Sequence, residues 1–315
     1  MIRAFAPDGP LLRQSETLAD ALWLDLFEPT APEIEAVEQT CGFALPTLDD
    51  MVEIEISSRL YVEGKAAFMT ALIPSRTDTD DLLMKPVTFI LSAGRLITIR
   101  YHDPRVFGAA AARFERGDLD IVDAEGALLH LLDGVVDRLA DILERAGHDV
   151  DAVSRQVFAP KGTAPSPDYK TTLETIGRKG DLTSNLRDSL MTLSRLATFL
   201  EPRLQGPGPA RHEALRTLGQ DIRSLLDHCG FISQKVTFLL DATLGLISIE
   251  QNGIIKIFSV AAVMFLPPTL VASVYGMNFV NMPELALPYG YPMALGLMVV
   301  SAVVPYLFFK RRGWL

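Results

Sequence analysis

The chain has 315 residues, a formal net charge of −10 at pH 7 and 49% hydrophobic residues, and its mean hydropathy is positive. An acidic chain lacks the concentrated basic face that phosphate binding needs, which argues against a nucleic-acid partner, while so much apolar sequence calls for a search for membrane segments. Its two cysteines, Cys41 and Cys229, lie far apart without metal-type spacing, so they give no disulfide framework and fit a reducing compartment.

The first twenty residues hold no apolar core of signal-peptide length, so no cleaved targeting segment is expected. Up to about residue 105, short strand-like runs alternate with turns. ALWLDLFEP (21–29) is one, and Thr30 and Pro32 after it mark a helix start. FMTALIPS (68–75) is another, and PVTFILSAGRLITIRYH (86–102) divides into two strands at Ala93-Gly94, a hairpin-type break. Strands mixed with helices predict an α/β domain. In TDTDD, Asp78, Asp80 and Asp81 read as a solvated charged loop.

Beyond about Asp120 the pattern is helical. Leu128, Leu131, Leu132, Val135, Val136, Leu139 and Ile142 recur at three- and four-residue steps and form one apolar face. APKGTAPSP (159–167) ends that helix. A second runs from about Tyr169 to Leu200, with Leu173, Ile176, Leu182, Leu186, Leu190, Leu193 and Leu196, and stops at Glu201-Pro202 and QGPGP (205–209). No further breaker occurs between Ala210 and Pro267, which predicts one helix roughly 100 Å long at 1.5 Å per residue. A helix of that length needs partners, so oligomerisation is expected.

No ionisable Asp, Glu, Lys, Arg or His occurs from Ile257 to Met282, or again from Leu285 to Phe309. Ile254–Val274 and Tyr291–Phe309 each reach the roughly 20 apolar residues that cross a bilayer core. Lys310-Arg311-Arg312 follows the second run, Lys256 opens the first, and the connecting loop has no Lys or Arg, so both termini should face the cytoplasm. The seven segments expected are a cytoplasmic α/β domain (1–120), a helical hairpin (121–209), a stalk helix (210–253), a first span (254–275), an outward loop (276–290), a second span (291–310) and a basic tail (311–315).

Along the helix that enters the first span, Asn252, Ser259, Ala262, Leu266, Thr269 and Ser273 follow at steps averaging 3.5 residues and form a stripe of small and neutral polar groups. Helix packing and pore lining both account for such a stripe. Two spans cannot enclose a water-filled path, but a ring of copies can. Rings of hydroxyl, amide and carbonyl oxygens suit Mg2+, which loses its water reluctantly. His102, His130, His148, His212 and His228 show no pairing that suggests a metal site, and neither a phosphate-binding glycine loop nor a nucleophile–base pair is evident, so an enzyme is not expected.

The loop begins 275-YGMNFVNMPE-284. Tyr275 to Phe279 and Met282-Pro283-Glu284 resemble the signature of the CorA family of divalent-cation channels, in which Gly-Met-Asn closes the first of two spans. Tyr291-Pro292 and the terminal KRRGWL extend the resemblance, which is firm over residues 241–315. It implies an α+β membrane protein: a funnel-shaped homopentamer whose cytoplasmic α/β domains lead through a stalk helix to a pore of five first spans. By that resemblance Gly276, Met277 and Asn278 form the selectivity filter, Thr269 and Asn252 form polar rings, and Leu266, Ile255 and Phe258 form a hydrophobic constriction. The path also includes Ala262 and Ser273. The same resemblance implies that Asp241 is a regulatory Mg2+ ligand at the inner mouth, with Asp78, Asp80 and Asp81 as candidate further regulatory acids, and that Glu284 attracts cations outside or is passive. The implied activity is passive, voltage-driven entry of Mg2+, with Co2+ and Ni2+ also carried, without an organic cofactor, in the inner (plasma) membrane. A Zn2+ transporter of the ZntB type and a non-conducting membrane scaffold are the alternatives.

Overall fold

The computed structural model describes residues 1–8, 11–53, 55–76, 82–117, 123–159, 168–204, 209–278, 282–283 and 287–313. Asp78, Asp80, Asp81, Phe279 and Glu284 lie outside them, as do most of the two breaker segments and Trp314-Leu315. Two compact units are present, Met1–Leu239 and Leu240–Leu315.

The first unit opens with strands β1 (Ile2–Asp8), β2 (Leu11–Ser15) and β3 (Trp23–Phe27). Helix α1 (Ala31–Cys41) follows, and it starts where Thr30 and Glu33 form a capping box. Two short helices, α2 (Leu48–Val52) and α3 (Ile56–Arg59), lead to β4 (Leu60–Glu63), β5 (Ala66–Ser75), β6 (Leu83–Ser92) and β7 (Arg95–Arg100). The seven strands form one sheet in the order β2-β1-β3-β7-β6-β5-β4. Only β3 and β7 run parallel, and every other pair is antiparallel. The β6–β7 turn falls at Ala93-Gly94, both at positive φ, as the hairpin break requires.

Almost every residue of β5 is buried, so this strand is covered on both faces and its sequence is a continuous apolar run. Its pairing with β4 ends at Leu60↔Met69, which leaves the edge of β5 open beyond that point. There α6 (Tyr169–Leu200) supplies the missing partners. Thr192 Oγ1 accepts from the Leu72 N–H at 3.0 Å, and the Ser189 hydroxyl donates to the Leu72 carbonyl at 2.5 Å.

One buried carboxylate ties three strands together. Arg100 of β7 donates to both oxygens of Asp25 on β3, at 3.0 and 3.1 Å, and Arg3 of β1 donates to Oδ2 at 2.5 Å. The Thr98 hydroxyl also donates to Asp25 Oδ1, at 3.0 Å, and in turn accepts from the Trp23 indole N–H. The Arg100 guanidinium lies over the rings of Phe27 and Phe107. Removing a partner from such a buried pair costs several kcal/mol, because the remaining charge is left uncompensated.

Helix α4 (Arg105–Arg116) buries Phe107, Ala110, Ala111 and Phe114, one face at helical spacing. The long helix α5 (Ala124–Val157) and α6 form the hairpin read from the sequence, and all seven predicted apolar positions of α5 are buried. On α6 the buried face is rotated from the leucine pattern. Leu173 and Leu182 are only partly covered, whereas Thr172 and Thr183 are buried, their hydroxyls donating to the Asp168 and Lys179 carbonyls. A short 3₁₀ turn (Glu201–Arg203) precedes α7 (Pro209–Tyr275), and α8 (Gly290–Arg311) closes the described chain.

Within the first unit α7 lies against both α5 and α6. Leu215, Leu218, Ile222, Cys229, Ile232 and Leu239 are buried at heptad steps. Gly147 of α5 and Gly180 of α6 sit where a side chain would touch Ile232 and Val236. Phe158 stacks on Phe238, Lys235 pairs with Asp151, and Arg211 pairs with Asp123 and Glu125. Burial pushes the Cys229 thiol up to about 11, which keeps it protonated and inert.

His102, between β7 and α4, is buried, and its Nε2 lies 2.8 Å from the Ile73 carbonyl. Nε2 must therefore carry the proton. Its Nδ1 has no hydrogen-bond partner among the described residues. Burial lowers the His102 pKa below the usual 6.5, and Arg100 and Lys85 lower it further, against opposing effects of the Ile73 bond and Asp103. The unfolded chain therefore takes up this proton at higher pH than the folded one, so stability is lost as pH falls from above 6.5. Thermal unfolding of the solubilised protein should show a Tm that drops between neutral pH and about pH 5.5. His102→Gln should flatten that dependence in part, and the residue should remain with His130, also lowered by burial. An unchanged slope in the variant would remove His102 from the account.

Candidate functional site: the uncovered face of the long helix

In the second unit α7 and α8 are both long and apolar enough to cross a membrane, and almost nothing in their apolar windows is buried. A core helix of a soluble protein would be covered on most sides. Here each helix covers only one face. On α7 the least exposed positions are Val260, Ala261, Met264, Pro267, Pro268, Val271 and Tyr275, with Val260 only 4% exposed. On α8 they are Gly290, Ala294, Met298, Ser301, Ala302, Pro305 and Phe309. Small residues on this face let the helices approach closely. Lys256 Nζ lies 3.4 Å from the carbonyl of Gly313, just past α8, so the two helices run antiparallel.

The sequence-predicted stripe is on the other side. Asn252, Ser259, Ala262, Leu266, Thr269 and Ser273 are all exposed, as are Ile255 and Phe258 beside them. At about 100° per residue, these positions centre roughly 180° from the face turned to α8. The heptad register says the same in sequence terms. Asp241, Ile255, Ala262, Thr269 and Gly276 fall at multiples of seven, and so do Asn252, Ser259, Leu266 and Ser273. They are the c and f positions when the covered residues are a and d. Packing of α7 on its own neighbour therefore does not explain the stripe.

The chain runs in helical form through Pro267 and Pro268. Neither has an N–H, so the carbonyls of Val263 and Met264 lose their donors in the helix. One turn on, the Thr269 hydroxyl donates to the carbonyls of Leu266 (2.8 Å) and Phe265 (3.0 Å). This segment presents more carbonyl oxygen than an uninterrupted helix would. Sequence reading placed Pro267 at the end of the unbroken stretch and assigned it no role.

At the end of α7 the Gly276 N–H reaches the Ala272 carbonyl at 2.9 Å, and the Met277 N–H reaches that of Val274 at 3.3 Å. A Cβ on Gly276 would stand 3.1 Å from the Ala272 oxygen, tighter than nearly all such contacts. Glycine is thus explained by close approach of backbone to backbone, at a φ that other residues also adopt. Met277 and Asn278 then leave the helix, both exposed. The Asn278 amide has no hydrogen-bond partner among the described residues. Asp241 is exposed on α7. Among the described residues, no three His, Cys, Asp or Glu side chains are grouped to hold a metal ion.

The fold is shared with known proteins. Residues 19–311 match the family model described as CorA-like Mg2+ transporter protein. The chain belongs to the CorA family. A protein of Pasteurella multocida named Magnesium transport protein CorA is 39% identical over 321 residues, covering both chains fully. Its namesake from Salmonella typhimurium is 36% identical over 304 residues, 96% of this chain and 95% of that one. The complete structure of the CorA magnesium transporter from Methanocaldococcus jannaschii superposes with a TM-score of 0.80 at 20% identity, covering 100% of this chain and 99% of that one. The cytoplasmic domain of ZntB from Vibrio parahaemolyticus reaches 0.57 at 13% identity over 78% of this chain and 97% of that one. These two structures share the fold. The CorA likeness extends over the α/β domain, the long helix and the final helix, as the sequence led one to expect.

In a cysteine-free background, the two faces of α7 should differ in reactivity. Cysteines at Ser259, Thr269 or Ser273 should react with a water-soluble thiol reagent in reconstituted protein, and cysteines at Met264 or Val271 should not. Equal labelling of both sets would show that the stripe does not line an aqueous path.

Proposed function

We propose that this chain is the subunit of a homopentameric Mg2+ channel, with both ends of the chain in the cytoplasm and residues 276–290 facing outward. The observation that carries the reading is the placement of the stripe on the face of α7 that α8 leaves uncovered, with Asn278, unpartnered among the described residues, at its outer end. The names of the relatives and the family description point to the same ion.

The chemistry follows from neutral oxygens. Copies of α7 arranged around an axis turn each stripe residue into a ring. Mg2+ holds its water tightly, so a ring that accepts hydrogen bonds from the ion's waters costs less than one that strips them. Rings of carboxylates in a low dielectric would hold a divalent ion too strongly for it to leave. Asn278 and the backbone around Gly276 and Met277 meet the ion first; Ser273, Thr269, Ala262 and Asn252 line its path. Leu266, Ile255 and Phe258 form the apolar narrowing, where a dry stretch blocks conduction. Outside, Glu284 raises the local cation concentration. The segments divide as 1–120 for the cytoplasmic α/β domain, 121–209 for the helical hairpin and 210–253 for the stalk. Residues 254–275 and 291–310 are the spans, and 311–315 form a basic cytoplasmic tail.

Asn278→Ala should reduce Mg2+ uptake into proteoliposomes at least tenfold while the oligomer still assembles, since the outer ring of carbonyl oxygens is lost. Comparison of Mg2+, Co2+, Ni2+ and Zn2+ under fixed voltage and pH would settle the ion. Uptake that is unchanged in the variant would remove the filter from this position, and proton-driven Zn2+ uptake would favour the ZntB alternative.

Asp241 shares the heptad phase of the stripe, and we assign it to closure by internal Mg2+, with the remaining ligands coming from beyond the chain. Asp241→Ala should keep the channel conducting at millimolar internal Mg2+. Closure at the wild-type concentration would place the sensor elsewhere.

A further inference from the structure

Four cations gather at one end of the helical hairpin. Lys256 of α7 bonds the carbonyl of Gly313, which brings it to the same end of α8 as Lys310, Arg311 and Arg312. All four are exposed, and none has a carboxylate partner among the described residues. In a chain of net charge −10 that absence is informative, because acids outnumber bases overall yet none among the described residues neutralises this patch. Capping the dipole of α8 accounts for Lys256 and draws some benefit from the last turn. It leaves an ammonium and two guanidiniums free to meet an anion.

Their posture suggests which anion. Lys310 Nζ lies 5.9 Å from the centre of the Tyr306 ring, and Arg312 lies 5.5 Å from that of Phe308. Each cation therefore folds back over an aromatic ring one turn earlier on α8. Aromatic rings with basic tips occupy the headgroup level of a bilayer, stems against apolar surface and charges toward phosphate. This end of both spans is also where the apolar runs stop.

We propose that Lys256, Lys310, Arg311 and Arg312 form a binding site for the phosphates of anionic glycerophospholipids at the inner leaflet, shared between the two helices of one chain. The proposal rests on the membrane placement given above but not on which ion passes. A bound phosphodiester bridges the inner ends of α7 and α8, so anionic lipid braces the helix that carries the stripe. The shared chemistry is a phosphate monoanion, and a free inorganic phosphate is the competing source.

The test uses full-length protein in neutral detergent, offered equal amounts of phosphatidylglycerol and phosphatidylcholine with identical acyl chains, with bound lipid counted by native mass spectrometry. The wild type should retain phosphatidylglycerol with a preference of about fivefold or more, the scale expected for each engaged cation. Arg311→Gln combined with Arg312→Gln should bring the two lipids close to parity, and Arg311→Lys with Arg312→Lys should keep most of the preference. Where the glutamine double variant does not assemble, Lys256→Gln serves, with a smaller loss expected. Equal retention of both lipids by the wild type overturns the proposal, as does undiminished preference in the glutamine variants. Displacement of the lipid by excess inorganic phosphate assigns the site to a free anion and also overturns it. No ion flux enters this measurement, so its failure leaves the transport reading intact, and a failure of transport leaves the lipid preference measurable.

Discussion

A transmembrane-length helix with a single neighbour in its own chain can cover only one of its faces. For α7 that face is Val260, Met264, Pro267, Val271 and Tyr275, turned to α8. The rest must meet lipid, water or another protein. Residues meant for lipid would be uniformly apolar, since a hydroxyl or amide exposed to hydrocarbon goes unsatisfied. The opposite face instead carries Asn252, Ser259, Thr269 and Ser273 among Ala262 and Leu266. One constraint, the shortage of helices within the chain, therefore connects the sequence pattern to assembly and to the proposed aqueous path.

Much of this was legible in the sequence because the relevant signals are periodic and long. The α5 leucines, the α6 limits at Tyr169 and Leu200, and the uninterrupted run into the first span all arise from helical spacing sustained over several turns. Strands β1, β2 and β4 were missed for the opposite reason. Each is only four to seven residues long, and half-exposed patterns such as that of Leu60–Glu63 barely alternate. Helix α4 had a readable face in Phe107, Ala110, Ala111 and Phe114, but its run of alanines offered little contrast. The buried threonines of α6 could not be found by hydropathy, because back-bonding to a carbonyl is what makes their burial tolerable.

The site divides along the same line. The tripeptide Gly276-Met277-Asn278 and the 3.5-residue stripe were visible, but which side of α7 the stripe occupies relative to α8 was not. That depends on where α8 packs, and α8 is apolar all round, so its sequence does not announce a contact face. Its small residues, Gly290, Ala294 and Ser301, mark the contact only once the partner helix is placed.

The register of α7 carries the argument one step further. Its buried positions in the first unit, Leu215, Leu218, Ile222, Cys229, Ile232 and Leu239, occupy the same a and d phases as Val260, Met264, Pro267 and Val271. No insertion of three or four residues interrupts the heptad between them, so nothing in the sequence unwinds or overwinds the helix there. Within the first unit the rim of the α5- and α6-facing seam is held by Lys235 to Asp151 and Phe158 to Phe238, contacts exposed enough to exchange for others at little cost. The buried heptad positions, rather than the rim, therefore set how α7 packs there.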